Sequence, residues 1–367
     1  MTRGGAVPRP AFPVYKKKER NKMKFTTCKK FIRKGLLGLF SLVALVSCDA
    51  IYDGEGDCSY RHGVRFVYDH NIKFADAFAR EVEAVALYAF DERGVFVSKY
   101  EAGGAALDGA GYVLPVDLSP GTYDLVAWCT WDKSDETETL PFDIPDLTPG
   151  QSTIGELTAT LAREEATVAK DIDPLFHGRV QRATFTDEPG DHIVTVPLVK
   201  NTNSIRVVLQ HLSGEPVEAE KFRFSVTSAN GKMGHDNGLL ADEMLRYDAW
   251  HVSQGSAEME TAEGTVTVHT AVAELTTARL VKDEKPRLTI TNDRGETVVS
   301  IPLADYLLMV KGYYGREMDD QEYLDRQDEY SLTFFLDQNY TWDDTRIIIN
   351  SWAVVLNNGE VGGDEWE

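Results

Sequence analysis

Residues 82–100 read VEAVALYAFDERGVFVSKY, and this stretch decides the fold. Two apolar runs rich in β-branched and aromatic residues, 82–90 and 95–100, flank Asp91-Glu92-Arg93-Gly94. That is a four-residue turn with glycine where a positive φ costs least, and it predicts a β-hairpin. Outward from it the texture repeats. Residues 64–68 alternate, and Pro120-Gly121 opens a strand over 122–130. In that strand Tyr123, Leu125, Ala127 and Cys129 share one face while Asp124, Val126 and Trp128 share the other. Further strands are predicted at 151–162, 192–199, 204–211, 222–227, 264–270, 287–291, 297–302, 331–336 and 346–356. Only 303–310 and 236–245 read as helical. Short strands at this density, separated by Gly, Pro, Asn and Asp turns, specify an all-β chain of sandwiches rather than βαβ units.

Charge separates the chain into two unlike parts. Residues 1–47 hold 12 Lys and Arg against one acidic residue, Glu19, whereas the remainder holds 26 against 58, a formal net charge of −32. Lys29, Lys30, Arg33 and Lys34 precede twelve uncharged residues, GLLGLFSLVALV at 35–46. A basic stretch followed by an apolar run is the layout of a secretory signal, and as a helix the run would reach about 18 Å, too short for a hydrocarbon core of roughly 30 Å. Leu45-Val46-Ser47-Cys48 follows and resembles the lipobox of bacterial lipoproteins. The resemblance implies that Cys48 is acylated on sulfur and that signal peptidase, recognising Leu45 and Ser47, cuts just before it. The bland alternative is an ordinary cysteine after a plain signal. Met23 would make a conventional start, so residues 1–22 read as an over-long gene start or a longer basic region. Residues 48–60 then form an acidic, glycine-containing tether, Asp49 through Asp57, whose composition cannot bury enough apolar surface to order itself. Acidic residues just after the lipidated cysteine resemble the surface-export signal of lipoproteins in the Bacteroidota.

About 300 residues remain, enough for two cores. The polar stretch Lys200-Asn201-Thr202-Asn203 divides them into sandwiches at 61–199 and 200–367. With Cys48 acylated, Cys58 and Cys129 are left. A bridge between them would close a loop of about seventy residues worth roughly 4 kcal/mol in the chain-entropy model; the alternative is a buried Cys129 thiol. No G-x-S-x-G elbow, H-E-x-x-H, P-loop or G-x-G-x-x-G occurs, and the eight histidines are scattered singly. No catalytic residue, metal ligand or cofactor is therefore expected. Asp319-Asp320 and Asp343-Asp344 read as turn and solubility residues. A body of −32 without a basic stripe excludes nucleic acid. Trp128 and Trp131 bracket Cys129-Thr130; exposed, they would stack on sugar rings, whereas a core tryptophan at a strand end is the commoner case.

Several stretches together carry a resemblance that composition does not. Asp57-Cys58, VRFVYDHN at 64–71, DAF at 76–78 and VALYAFDERG at 85–94 are similar to the FimB-type fimbrillin-associated anchor proteins. The likeness continues in DPLFHG at 173–178, LVKNTN at 198–203, QEYLDR at 321–326, YSLTFFL at 330–336 and IIINSW at 347–352. It implies two tandem transthyretin-like β-sandwiches on a lipidated chain in the outer membrane, holding the base of a type V fimbria and influencing its length and retention. The implied partner is the shaft pilin. Shaft subunits of that family assemble when an Arg-specific protease removes an N-terminal strand and a neighbour's strand fills the groove, which is β-augmentation. An anchor cannot lose its first strand without losing its lipid. Residues 64–68 are therefore expected to stay paired, and 346–356, with Ile347, Ile348, Ile349 and Trp352, to offer the pilin contact; the alternative for that segment is an ordinary core strand. A glycan-capturing surface lipoprotein is the rival function.

The lipobox reading is checked by growing cells with radiolabelled palmitate. The wild-type chain is expected to take up label and Cys48→Ala to take up none.

Overall fold

The computed structural model describes residues 59–109, 111–130, 141–163, 165–261, 264–314 and 317–355. In chain order its strands begin with β1 (Tyr60–Val67), β2 (Ala84–Phe90), β3 (Phe96–Gly103), β4 (Val113–Pro115) and β5 (Gly121–Thr130). Next come β6 (Phe142–Asp143), β7 (Thr158–Leu161), β8 (Thr167–Val168), β9 (Phe176–Phe185), β10 (Gly190–Lys200) and β11 (Thr202–His211). β12 (Phe222–Ser228), β13 (Lys232–Gly234), β14 (Leu245–Asp248), β15 (His251–Thr261) and β16 (Gly264–Ala278) follow. The last are β17 (Arg287–Asn292), β18 (Thr297–Pro302), β19 (Glu329–Leu336), β20 (Trp342–Ile349) and β21 (Trp352–Val355). Four short helices, α1 (Phe78–Glu81), α2 (Leu303–Leu308), α3 (Lys311–Tyr314) and α4 (Asp320–Arg326), complete the described residues. The chain is all-β, as the sequence predicts.

In the first half the strand order is β3-β2-β5-β9-β10-β1-β4. β2 and β3 form the hairpin expected from residues 82–100, with Tyr88 opposite Lys99 and a register shift before Phe90. β10 joins the two layers: residues Gly190–Pro197 pair with β1 and Leu198–Lys200 with β9. This switch brings β9 and β10 so close that a Cβ on Gly178 would stand 2.5 Å from Val196 Cγ1 and 2.8 Å from the Pro197 carbonyl oxygen. Between the layers lie Val64, Phe66, Leu87, Leu125, Ala127, Cys129, Phe176 and Leu198, all buried. The alternation read along β5 holds. Its second face is buried too: Val126 and Trp128 join Tyr88 and Phe90 in the core that continues into the second half. Alternation says which residues share a face, not what covers it.

The second half packs a six-stranded sheet, β15-β16-β11-β19-β20-β21, against a five-stranded one, β18-β17-β12-β14-β8. Ile205, Val207, Leu209, Leu332, Phe334, Ile347 and Ile349 face Phe224, Val226, Tyr247, Leu288 and Ile290. Two strands from residues below 200 pair into this half: β8 runs parallel to β14, and β7 pairs with β13. Asn201, at the break between β10 and β11, is fully buried and exchanges side-chain amide hydrogen bonds with Asn237 at 2.6 and 3.2 Å. Lys200 Nζ donates to Asp328 at 2.6 Å and Glu81 at 3.3 Å, and Arg279 grips Asp325 through Nε at 2.8 Å and Nη2 at 2.7 Å. The polar LVKNTN stretch is a fastened junction.

Local chemistry explains the departures from the expected elements. Residues 236–245 hold no helix: Asp236 accepts the Gly238 N–H, Asn237 takes φ 66°, and β14 starts at Leu245. Residues 151–162 are a 3-10 turn at Ile154–Glu156 followed by β7. Asp319 caps α4 by accepting the Glu322 N–H at 2.7 Å, and Asp320 pairs with Lys282 and Lys311, so these acids are structural. Within the predicted 346–356 strand, the described residues 346–355 form a hairpin rather than one strand.

His177 supplies a pH test of the junction. Its ring packs edge-on to Trp128 at 4.7 Å and its Nε2–H donates to the His235 carbonyl at 2.9 Å. Burial pulls its imidazole down to about 4. The unfolded chain binds this proton from about pH 6.5 downward while the folded chain does not, so stability falls as pH drops from 6.5 toward 4. The slope is about 1.4 kcal/mol per pH unit from this group. Urea unfolding across that window is expected to show the advantage of wild type over His177→Gln shrinking at that rate.

Candidate functional site

Two features bear on function: how the chain's first strand is held, and what its last strand leaves open. β1 lies between β10, to which it is parallel from Tyr60 opposite Gly190 to Val67 opposite Pro197, and β4, to which it is antiparallel at Gly63–Arg65. Val64, Phe66 and Tyr68 are buried. A Cβ on Gly63 would stand 2.5 Å from Val113 Cγ1, so the approach of β4 requires glycine there. His62 pins the start of the strand, its ring nitrogens 2.8 Å from the Leu118 carbonyl oxygen and 2.9 Å from that of Thr186. Its ring stacks on Tyr60 at 4.8 Å and tilts against Phe185 at 4.8 Å. The other end is fixed by Asp76, which accepts the N–H groups of Tyr68 and Phe78 at 3.0 Å. Neither His62 nor Asp76 was singled out by sequence, because a lone histidine or aspartate carries no signal until the strand pairing is known. Leu45, Ser47, Cys48, Cys58 and Trp131 lie outside the described residues.

Cys129 is fully buried in β5 opposite Phe176, and burial pushes its thiol far above the ordinary range. Phe176 in turn faces Lys200, whereas the Ser59 carbonyl accepts the Gly190 N–H. Those two levels are ten residues apart along β10, about 33 Å at a strand's rise, against the ~7 Å limit between bridged Cα atoms. This geometry supports the buried-thiol alternative. Trp128, 1 % exposed, offers no platform for a sugar ring, which corrects the stacking idea at that position.

At the other end of the chain β20 and β21 form a two-residue hairpin around Asn350 and Ser351, whose φ values of 48° and 72° are those of a type I′ turn. Asn350 fastens it to β19: its N–H donates to the Ser331 carbonyl and its Oδ1 accepts the Ser331 N–H, both at 2.8 Å. The predicted contact residues therefore separate. Ile347 and Ile349 are core, Ile348 is half-buried on the opposite face, and Trp352 is 37 % exposed at the sheet edge. With Ile349 opposite Trp352 across the turn, Trp352 and Val354 direct their backbone groups toward β20, and Ala353 and Val355 direct theirs outward. No described strand lies beyond β21, and Val355 is 74 % exposed. Sequence missed this edge; its signal was the polar Asn-Ser pair between two apolar runs. Among the described residues no three His, Cys, Asp or Glu side chains converge as metal ligands, and no helix is long and apolar enough to cross a membrane.

Residues 55–358 match the family model of the fimbrillin-A associated anchor proteins Mfa1 and Mfa2. The chain belongs to this family. A candidate adhesin of Bacteroides thetaiotaomicron has a similar structure, 37% identical with TM-score 0.72 over 83% of this chain and 100% of that one. A candidate polysaccharide-binding protein of the same organism is 31% identical with TM-score 0.70, covering 81% and 98%. The fimbrial anchor protein Mfa2 of Porphyromonas gingivalis shares the fold at 17% identity and TM-score 0.57, covering 81% and 99%. A search of curated proteins returned no match. Membership in the anchor-protein family makes this a fimbria-associated protein of the cell surface with a structural role.

For this anchor-family chain, alkylation without reductant is expected to leave Cys129 unmodified in the native state and to modify both Cys58 and Cys129 in urea. A bridge would leave both unmodified in urea.

Proposed function

We propose that this protein is an outer-membrane lipoprotein that anchors the base of a fimbria. It is held through acylated Cys48 after cleavage behind Ser47 and faces the cell surface. It contributes to fimbrial assembly, length control and retention by β-strand contact with the shaft pilin, and it performs no catalysis.

The observation that carries this reading is the two-sided pairing of β1. Over Gly63–Arg65 its N–H and C=O groups are satisfied on both sides, so it cannot be exchanged for a partner's strand without opening two edges there. The beginning of the folded body is thus committed to the tether, and polymer contact must come from elsewhere. β21 is the edge that fits: it is short, its outward backbone groups at Ala353 and Val355 have no described neighbour, and Trp352 beside it supplies an apolar anchor. Position supports the assignment as well. The Ser59 end meets Gly190 at the start of β10, while β21 runs alongside β20 and β19 toward the level of His211 at the end of β11. Only Asn201 separates β10 from β11, so the tether and the open edge mark opposite ends of one nearly continuous extended run.

Cells lacking the gene are expected to shed fimbriae into the medium, as are cells carrying Cys48→Ala. In cells retaining the protein, cysteines at Ala353 or Val355 are expected to cross-link to a cysteine-bearing strand of the co-expressed pilin. Cross-links confined within the chain would overturn the assignment of β21.

A further inference from the structure

The hairpin turn Asp91–Gly94 borders a cleft that the anchoring role leaves unused. Between Tyr123 opposite Ala183 and Leu125 opposite Val180, β5 supplies one residue, Asp124, where β9 supplies two, Gln181 and Arg182. This bulge gives Arg182 a left-handed φ of 54°, held by its N–H donating to Asp124 Oδ1 at 2.8 Å. A non-glycine residue kept in that region is a strained one, and bulges re-aim side chains. The cleft, about 270 Å³, is lined by Glu92, Thr122, Asp124, Arg179, Gln181 and Arg182, with Tyr123 also at its border; the Tyr123 ring itself turns to the other face of β5, against Phe185.

Hydrogen-bonding capacity there exceeds what the protein consumes. The Arg179 side chain is largely buried; its Nη2 reaches Asp124 Oδ2 at 3.3 Å, yet its Nε is buried with no partner. Gln181, oriented with its carbonyl oxygen inward, accepts from both Nη atoms at 3.3 Å, which turns its amide N–H groups away from Arg179. The Arg182 guanidinium, the Glu92 carboxylate and the Thr122 hydroxyl have no hydrogen-bond partner among the described residues. The frame is rigid, since Asp91 Oδ1 accepts the N–H groups of both Arg93 and Val95 at 2.9 Å and so locks the turn that carries Glu92.

We propose that this cleft binds a neutral sugar residue. Two guanidinium groups are balanced by two carboxylates, so no single-sign field selects an anion or a cation. A phosphate or carboxylate entering beside Arg182 would meet Glu92 and Asp124. An apolar ligand would strip water from unpaired polar groups and leave them unsatisfied. Hydroxyl groups both donate and accept, which is what interleaved guanidinium, carboxylate, amide and hydroxyl groups require. The volume lies just below the ~300 Å³ at which drug-sized pockets begin, a fit for one terminal sugar. The site is separate from β21, so an anchor at the cell surface would also hold a host or neighbouring-cell glycan.

The test is titration of the purified full chain, followed by NMR, with methyl glycosides of galactose, glucose, mannose, fucose, N-acetylglucosamine and N-acetylgalactosamine. Acetate and inorganic phosphate serve as anion probes. Saturable binding of at least one glycoside is expected, weakened tenfold or more by Arg182→Gly and by Glu92→Gln with unchanged unfolding midpoints. Arg182→Gly should fold, because glycine adopts this φ freely. The proposal is overturned if no glycoside binds, if binding survives both substitutions, or if only acetate or phosphate binds.

Discussion

The proposed anchoring role depends on the placement of β1 between β10 and β4. Parallel pairing runs along the whole strand on one side and antiparallel pairing covers Gly63–Arg65 on the other, and the strand with the residue that follows it places Val64, Phe66 and Tyr68 into the core. Burial of three such side chains is worth about 1.5–3 kcal/mol each, and their removal would also strand the facing groups of two neighbouring strands. A tether attached to such a strand pulls against a whole sandwich rather than a fraying edge. His62, with both ring nitrogens on carbonyl oxygens, and Asp76, receiving two N–H groups, fix the strand's two ends.

Polar contacts join that strand to the far edge. β10 passes almost directly into β11, and the break at Asn201 is locked by its amide exchange with Asn237. Lys200 ties α1 of the first half to Asp328 just ahead of β19, and Arg279 holds α4 through a two-pronged contact with Asp325. Removing one partner of the Arg279–Asp325 pair, the least exposed of these, is costly because it leaves the other charge partly shielded from water without its partner. The crossing of β7 and β8 into sheets of the second half adds pairing that a simple linker would lack. The two halves therefore share one core, Trp128 from β5 included, across the polar stretch where the sequence places a boundary.

Much of this was legible before any coordinates. The β2–β3 hairpin follows from a glycine-ended turn between two apolar runs, and the two faces of β5 from period-two alternation. Long-range facts were not legible. The double burial of β5, the parallel placement of β1 beside β10 and the insertion of β8 beside β14 depend on partners far along the chain, from His177 against Trp128 to Gly190 opposite Tyr60. Helix α4 carried an aspartate followed three residues later by a glutamate, a capping pattern at Asp319 and Glu322, but in so acidic a chain the pair reads first as solubility. Asn350-Ser351 is a less common hairpin pair than Asn-Gly, so 346–356 reads as one strand, and the proposed contact moves from the isoleucines to the edge of β21. Cys48 is legible only as a motif, through the charge, length and small residue before it.

Assembly should leave β1 where it is and cover β21. Hydrogen exchange followed by mass spectrometry, on the isolated chain and on the same chain bound to fimbriae, measures both strands at once. Amides of β1 are predicted to stay protected in both states, with those of Ala353 and Val355 gaining protection only on the fimbria. Loss of β1 protection on assembly, with β21 unchanged, would contradict the account.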